Sequence, residues 1–467
     1  MLFSSMTFLF LFLPVTCMVY FVIPEKGKNA ALLVSSLFFY FWGEPQYSVL
    51  LVFEILLAYG AARGIYYFDA KQKTKKNDRR VQGCLLATAI IVLLALLFIF
   101  KYTDFLIGTW NELIGADYRF KYIALPLGIS FYTFQMISYL IDVYRGDQKP
   151  EENLVDFAAY AAMFPQLVAG PIVRYADVRP ELKKKVISLE RVSLGVTRFV
   201  MGLSKKLLLA DLLGELVLKL QDIQPLGFAG QWVMAVSYML QVYYDFSGYS
   251  DMAIGLGKML GFYFPENFNY PFLAKSVTEF WQRWHMTLGG WFRDYLYIPL
   301  GGNRVSFFRF CLNVLIVWSL SGLWHGASWN FVLWGVYFGG LLIAEKMTTK
   351  LWRHRKKGYG HLITLFLLCI SFVIFRQENP ERLKQELSIM LTFSKPLRTL
   401  PAAWYQIRSY AAILAIAVIS ATPYPMEIVS RFQRAQRLRP FTVAILLLLC
   451  IAFLLGNTSH PFLYFRF

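Results

Sequence analysis

Long runs without charged residues alternate with short basic clusters along this chain. Residues 83–100, 122–141, 223–244, 409–425 and 441–459 form runs long enough to cross the roughly 30 Å hydrocarbon core of a bilayer as helices. Their apolar residues are consecutive rather than at every second position, which is not the pattern of a membrane β-barrel. The pattern predicts one all-helical domain, residues 1–467, that crosses a membrane many times.

Composition agrees with a membrane protein. The chain is 57% hydrophobic and only 16% charged, against roughly a quarter charged in soluble domains. Its formal charge of +18 does not indicate nucleic acid, because the Lys and Arg residues form short clusters at 71–80, 183–185, 353–357 and 431–439. Such clusters between apolar runs mark cytoplasmic loops.

The amino-terminal run from about Met6 to Ile23 has no basic residue before it, and Lys26 and Lys28 follow it. We expect an uncleaved anchor with its amino end outside the cell. Counting alternate crossings from there gives about ten to twelve membrane crossings. The count is a range because the segments at 30–42 and 157–175 are short or interrupted, and either could be re-entrant. We assign residues 1–156 to scaffold helices, 157–345 to a catalytic core and 346–467 to carboxyl-terminal helices.

A single histidine lies in the longest charge-free stretch. From Phe310 to Ala344 there is no Asp, Glu, Lys or Arg, which is too long for one straight crossing, and we expect a break between Ser321 and Asn330. His325 sits at that break. A titratable side chain in an apolar segment is a functional candidate, but it can equally be a hydrogen-bonded link between helices, and the residues alone leave the two interpretations balanced.

A second histidine lies 40 residues earlier. Trp281, Trp284, His285 and Leu288 are spaced to share one face of a helix, and Glu279 is four residues from a possible ion-pair partner, Arg283. This pattern favours an interfacial amphipathic helix over catalysis for the segment as a whole. His285 is the exception to test.

Other polar residues interrupt apolar runs near these histidines. Asp245 and Asp251 flank Ser247, where they could orient a histidine or, as the better supported interpretation, cap a helix. The five cysteines have no paired spacing and are expected to be core residues, so we predict neither disulfides nor a metal site. The candidate residues of a substrate cavity are Asp245, Ser247, Asp251, Glu279, Trp284, Arg293, Asp294, Trp324 and Asn330.

Five segments, at 168–174, 245–253, 264–271, 277–304 and 322–326, closely resemble the membrane-bound O-acyltransferase (MBOAT) family. The chain is most similar to its branch of alginate O-acetylases and bacterial wall-polysaccharide acetylation proteins, which residues 1–5 and 461–467 also resemble. The resemblance implies about 11 transmembrane helices, with re-entrant or interfacial helices, around a central cavity. It implies that His325 corresponds to the invariant histidine of the family and His285 to its second active-site position.

The function implied by the resemblance is transfer of an acetyl group from a cytoplasmic thioester across a bacterial inner membrane to a surface polysaccharide. The donor would be acetyl-coenzyme A, a substrate rather than a bound cofactor. The partners would be the bilayer and an extracytoplasmic SGNH-type acetyltransferase, with an acyl carrier as a further candidate. His325 would take the proton of the attacking hydroxyl, while His285 or backbone donors stabilise the oxyanion.

Two alternatives stay open. One is a D-alanyl transferase that modifies teichoic acid with the help of a carrier protein. The other is a transporter or flippase without acyl chemistry, which the many crossings and broken helices would also suit. The residues do not identify the polysaccharide.

Overall fold

The computed structural model describes residues 1–70, 76–118, 123–223, 226–352, 357–392, 401–431, 433–456 and 462–463. Within these ranges the ordered elements are helices and no strand occurs, which confirms the all-helical prediction. Some residues of the basic clusters and of the carboxyl-terminal motif lie outside the described ranges. They are Lys71, Lys73, Lys75, Arg353, Arg355, Lys356 and most of residues 461–467.

The chain divides into two compact units. The first contains Met1–Phe199 and Met252–Pro265. After a short π-helix at Phe8–Phe12, its helices are α1 Leu13–Val22, α2 Lys28–Gly43, α3 Ser48–Ala70, α4 Lys76–Ile114, α5 Ile129–Arg145, α6 Leu154–Ala162, α7 Phe164–Leu167, α8 Tyr175–Lys183 and most of α9 Leu189–Ser204.

The second unit contains Val200–Asp251 and Glu266–Phe467. Its helices are α10 Asp211–Asp222, the greater part of α11 Phe228–Met259, α12 Val277–Trp281, α13 Met286–Phe292, α14 Phe307–His325, α15 Trp329–Trp352, α16 Lys357–Arg376, α17 Pro380–Thr392, α18 Pro401–Ser409, α19 Ala411–Ser420, α20 Tyr424–Arg431 and α21 Gln433–Gly456. Its hydrophobic core joins α10, α11, α12, α15 and α16.

Six of the described helices are long and apolar enough to cross a membrane: Ser48–Phe68, Arg79–Ile114, Phe307–His325, Trp329–Thr348, Tyr359–Arg376 and Leu438–Gly456. A seventh crossing is possible if α18 and α19, bent by 53°, form one broken span. The multi-pass prediction is therefore confirmed, while the count of about 11 and the single-domain assignment stay predictions. Helices such as α11 contain too many polar residues to be counted as membrane-spanning from composition alone.

One predicted helix starts later than expected. The apolar run at 122–141 becomes helical only at Ile129. Pro126 disfavours helical geometry in the residue before it, and Gly128 has a left-handed φ of 76°. These two residues form a turn, with the Ile129 amide donating to the Pro126 carbonyl at 3.2 Å, so the helix begins after them.

The charge-free stretch folds as a hairpin of α14 and α15, with the break at residues 326–328. This confirms the predicted break. The two helices pack backbone to backbone: a Cβ atom added to Gly322 would lie 2.1 Å from the Phe331 carbonyl oxygen, and one added to Gly335 would lie 2.2 Å from the Trp318 oxygen. Small residues at such contacts are typical of membrane helix pairs, and here they fix the position of His325.

The predicted helix cap in the Asp245–Asp251 region is wrong. Asp245, Ser247 and Asp251 all lie inside the continuous helix α11. The helix passes through this polar region because each carboxylate meets a lysine: Asp245 lies 2.7 Å from the Lys206 ammonium, and Asp251 lies 2.6 Å from that of Lys205. Ion pairing satisfies buried charges that would otherwise disfavour a buried helix.

Candidate active site

His325 is the last residue of α14 and is buried within aromatic side chains. Its ring centroid lies 5.2 Å from that of Trp324, 5.0 Å from Trp334 and 5.7 Å from Phe375. The amide of Asn330, the predicted cavity residue on α15, donates to the Phe375 carbonyl at 2.8 Å. Trp324 and Asn330 therefore help to shape the surroundings of His325.

His285 does not lie on a continuous helix, so the predicted helical face from Trp281 to Leu288 is wrong. Helix α12 ends at Trp281 and α13 begins at Met286, with His285 between them in a left-handed conformation at φ 44°. The segment before α12 holds this turn, because the backbone amide of Asn269 donates to the Arg283 carbonyl at 2.9 Å. Left-handed non-glycine residues are uncommon and cluster at functional sites.

The structure brings the two histidines together. Their ring centroids lie 6.5 Å apart, and Trp324 contacts both rings. On its other side the His285 ring packs edge-on against Phe246, 4.6 Å away, and its Nδ1 lies 3.1 Å from the side-chain oxygen of Asn267. Burial, and then the nearby His325, lower the pKa of His285 well below its usual value, which favours a neutral imidazole at physiological pH.

A cavity of about 720 Å³ reaches His285. Its buried end includes His285 and Ser321, which lies one helical turn before His325. Its exposed end includes Arg293, Asn303 and Lys346. The volume lies within the usual range of small-molecule sites, about 300–1,000 Å³. The cavity thus connects an exposed entrance, lined by Arg293, Lys346 and Glu345, to a buried histidine.

One face of α14 forms a wall of the cavity. Phe310, Val314, Val317 and Ser321 line it, at spacings that place them on one side of a helix together with His325. From Phe310 to Ser321 the wall is about 17 Å long, at 1.5 Å per residue. The entrance and the buried histidine are therefore far enough apart for an extended ligand.

The other predicted cavity residues occupy different places. Arg293 lines the entrance and pairs with Asp294 at 2.6 Å. The predicted pair of Glu279 with Arg283 is confirmed at 2.9 Å. Trp284 packs in the core against Phe280, Phe268 and Phe372, while Asp245, Ser247 and Asp251 are buried in α11.

Sequence reasoning missed several residues of the site. Asn267, which contacts His285, was noted only as part of a family motif. Trp318 was an undistinguished member of an apolar run, Ser321 was noted only as the start of the expected break, and Lys346 was the second charged residue after the run, next to Glu345. Their shared surface forms where the hairpin meets residues 278–297, and no local spacing indicates that contact. Across the residues that the structure describes, no three His, Cys, Asp or Glu side chains are placed to hold a metal ion.

Known proteins resemble this chain throughout the region of the site. The model of the membrane-bound O-acyltransferase family, MBOAT, matches residues 152–374, which include both histidines and the whole cavity wall. The probable alginate O-acetylase AlgI of Pseudomonas aeruginosa is 41% identical over 384 residues, covering 81% of this chain and 72% of that protein. The chain belongs to the membrane-bound O-acyltransferase family.

Two further MBOAT relatives extend the comparison. The probable alginate O-acetylase AlgI of Pseudomonas putida is 36% identical over 494 residues, covering 100% of both chains. The peptidoglycan O-acetyltransferase of Helicobacter pylori is 34% identical over 418 residues, covering 82% of this chain and 78% of that protein. The chain is therefore an MBOAT O-acyltransferase and a multi-pass membrane protein.

Proposed function

We propose that this MBOAT enzyme transfers an acetyl group from cytoplasmic acetyl-coenzyme A, across a bacterial inner membrane, for O-acetylation of a surface polysaccharide. The observation that carries the proposal is the cavity that joins an exposed entrance, where Arg293 and Lys346 lie, to His285, whose ring neighbours that of His325. Relatives named for acetylation of alginate and of peptidoglycan support acetyl as the group and a polysaccharide as the acceptor.

The entrance suits a phosphorylated donor. Guanidinium and ammonium groups bind phosphate through charge-assisted hydrogen bonds, and Arg293 and Lys346 supply one of each. The basic run at 353–357 follows α15 directly in sequence, and such runs face the cytoplasm. A donor that enters there with its phosphates at the mouth would extend its thioester along α14 towards Ser321 and the histidines.

The histidines provide the acid–base chemistry of the transfer. A hydroxyl attacks the thioester carbonyl, an imidazole takes the hydroxyl proton, and the proton is then available to the departing thiolate. Imidazoles in an aromatic surrounding, as at His325 and His285, suit this role because water does not compete for the proton. We propose the pair as the catalytic residues.

The acceptor is reached through partners. In the proposed pathway an extracytoplasmic SGNH-type acetyltransferase receives the acetyl group and passes it to the polysaccharide, with an acyl carrier as a further candidate partner.

The test is chemical analysis of the cell surface. Cells lacking the gene, complemented with wild type or with His325→Ala at equal protein level, are compared for ester-linked acetate and for D-alanine. We expect wild type to restore acetate and His325→Ala to restore none. Loss of D-alanine in place of acetate would identify a D-alanyl transferase, and normal acetate with His325→Ala would exclude catalysis by this residue.

A further inference from the structure

Asn267 is a fully buried residue beside His285 that no functional role yet explains. Its side-chain oxygen lies 3.1 Å from His285 Nδ1, 3.3 Å from the backbone nitrogen of Thr287 and 2.9 Å from the Thr287 hydroxyl. Three groups thus converge on one atom. Their chemistry determines which atom of Asn267 this is, and what His285 must carry.

The backbone amide of Thr287 fixes the orientation of Asn267. A backbone N–H can only donate a hydrogen bond, so the Asn267 atom that faces it must be the carbonyl oxygen and not the NH₂ group. An amide oxygen can only accept. His285 Nδ1, which faces the same oxygen, must therefore carry a hydrogen, and a neutral imidazole protonated at Nδ1 has an unprotonated Nε2.

We infer that Asn267 is a positioning residue that holds His285 in the Nδ1–H tautomer, so that Nε2 receives a proton during acyl transfer. The inference rests on the proposed function. It changes the roles that the sequence suggested, because His285 instead of His325 takes the hydroxyl proton. Its Nε2–H, once formed, serves the departing thiolate rather than the oxyanion.

The proton balance is complete without a further reactant. The O–H bond of the attacking hydroxyl breaks and its proton moves to Nε2, while the oxygen forms the new C–O bond. When the tetrahedral intermediate collapses, the C–S bond breaks and the thiolate takes the proton back from Nε2. His285 returns to the neutral Nδ1–H form, ready for the next cycle.

Asn267 also holds the backbone on which His285 sits. Its backbone carbonyl oxygen accepts a hydrogen bond from the backbone amide of Met286 at 3.0 Å. Met286 directly follows the left-handed His285. The side chain of Asn267 therefore orients the His285 ring, and its backbone holds the main chain next to His285. Around the ring, Phe246 belongs to α11, and Trp324 and the titratable His325 belong to α14.

The experiment compares Asn267→Leu, which removes the acceptor, with Asn267→Asp, which keeps one. Asn269→Ala is the matched control, because the Asn269 side chain is exposed and its bonds to Arg283 use backbone atoms. Purified full-length proteins are labelled with ¹⁵N-histidine, and the His285 signals are assigned by their loss in His285→Asn. Kinetics of acetyl-coenzyme A consumption and thermal unfolding are measured on the same samples.

We expect the His285 signals of wild type, Asn267→Asp and Asn269→Ala to show a protonated Nδ1 and an unprotonated Nε2. Asn267→Leu should lose this pattern, and its kcat should fall by about 100-fold, the lower bound for a general base, with the donor KM within about twofold. Asn267→Asp should recover most of the kcat. Recovery by Asp separates positioning from a folding defect, which thermal unfolding would also show.

A protonated Nε2 in wild-type His285, or an unchanged kcat in Asn267→Leu, would overturn the inference. The NMR result does not depend on the identity of the donor. If wild type shows the expected tautomer but does not consume acetyl-coenzyme A, the proposed donor fails and the structural part of the inference stands. If the donor is consumed but the tautomer is the opposite one, the inference alone fails.

Discussion

Replacing Gly322 by alanine should disable the site while leaving most of the fold intact. Gly322 lies one turn before His325, and an added Cβ would lie 2.1 Å from the Phe331 carbonyl oxygen, whereas ordinary contacts begin at 3.4 Å. The hairpin must therefore open by about 1.3 Å at this point. Such overpacking costs about 1–3 kcal/mol, and a shift of about 1 Å in a reacting group costs about 100-fold in rate.

The chain supplies a matched control on the same hairpin. A Cβ at Gly340 meets nothing within 4 Å, so Gly340→Ala should keep full activity and gain about 0.5–1 kcal/mol from the better helix former. Acetyl-coenzyme A consumption and melting temperature in detergent distinguish the two variants. Equal activity and equal melting temperature in Gly322→Ala and wild type would refute the account of how the hairpin positions His325.

Two other predictions concern charged residues. Lys206→Met leaves the buried carboxylates of Asp245 and Asp211 without the ammonium that pairs with both at 2.7 Å. We expect the free energy of unfolding to fall by about 3–5 kcal/mol. An unchanged melting temperature would contradict this expectation. Lys346→Gln and Arg293→Gln should each raise the KM for acetyl-coenzyme A by about three- to tenfold at unchanged kcat, because each would remove one of the proposed phosphate contacts at the exposed entrance. A drop in kcat with constant KM would place these residues elsewhere in the mechanism.

The structure could be predicted from the sequence where a single local feature determined it. The 35 residues without charge from Phe310 to Ala344 exceed one crossing, so a hairpin followed from length alone, with the break close to His325. The start of α5 was misjudged because a hydropathy run does not show where Pro126 and Gly128 turn the chain. Hydrophobicity predicts what lies in a membrane better than where a helix begins.

The site itself depended on contacts that are distant in sequence. Trp281 and His285 have helical spacing, but the helix is interrupted between them. There the backbone of Arg283 and Met286 forms hydrogen bonds with the backbone of Asn269 and Asn267. In the same way, Asp245 looked like a helix cap because its lysine partner lies 39 residues earlier, at Lys206. Local periodicity cannot report either pairing, since tertiary contacts override local preference.

The most direct measurement of the central claim is thioester cleavage by the purified enzyme in liposomes. Acetyl-labelled coenzyme A is supplied on one side, together with an added hydroxyl acceptor for the acetyl group, and release of free coenzyme A is followed for wild type, His325→Ala and His361→Ala. His361 is a histidine of α16 whose Nδ1 lies 3.0 Å from the Ala274 carbonyl oxygen. We expect cleavage by wild type and His361→Ala, and a loss of at least about 100-fold in His325→Ala. Cleavage at the wild-type rate by His325→Ala would contradict it.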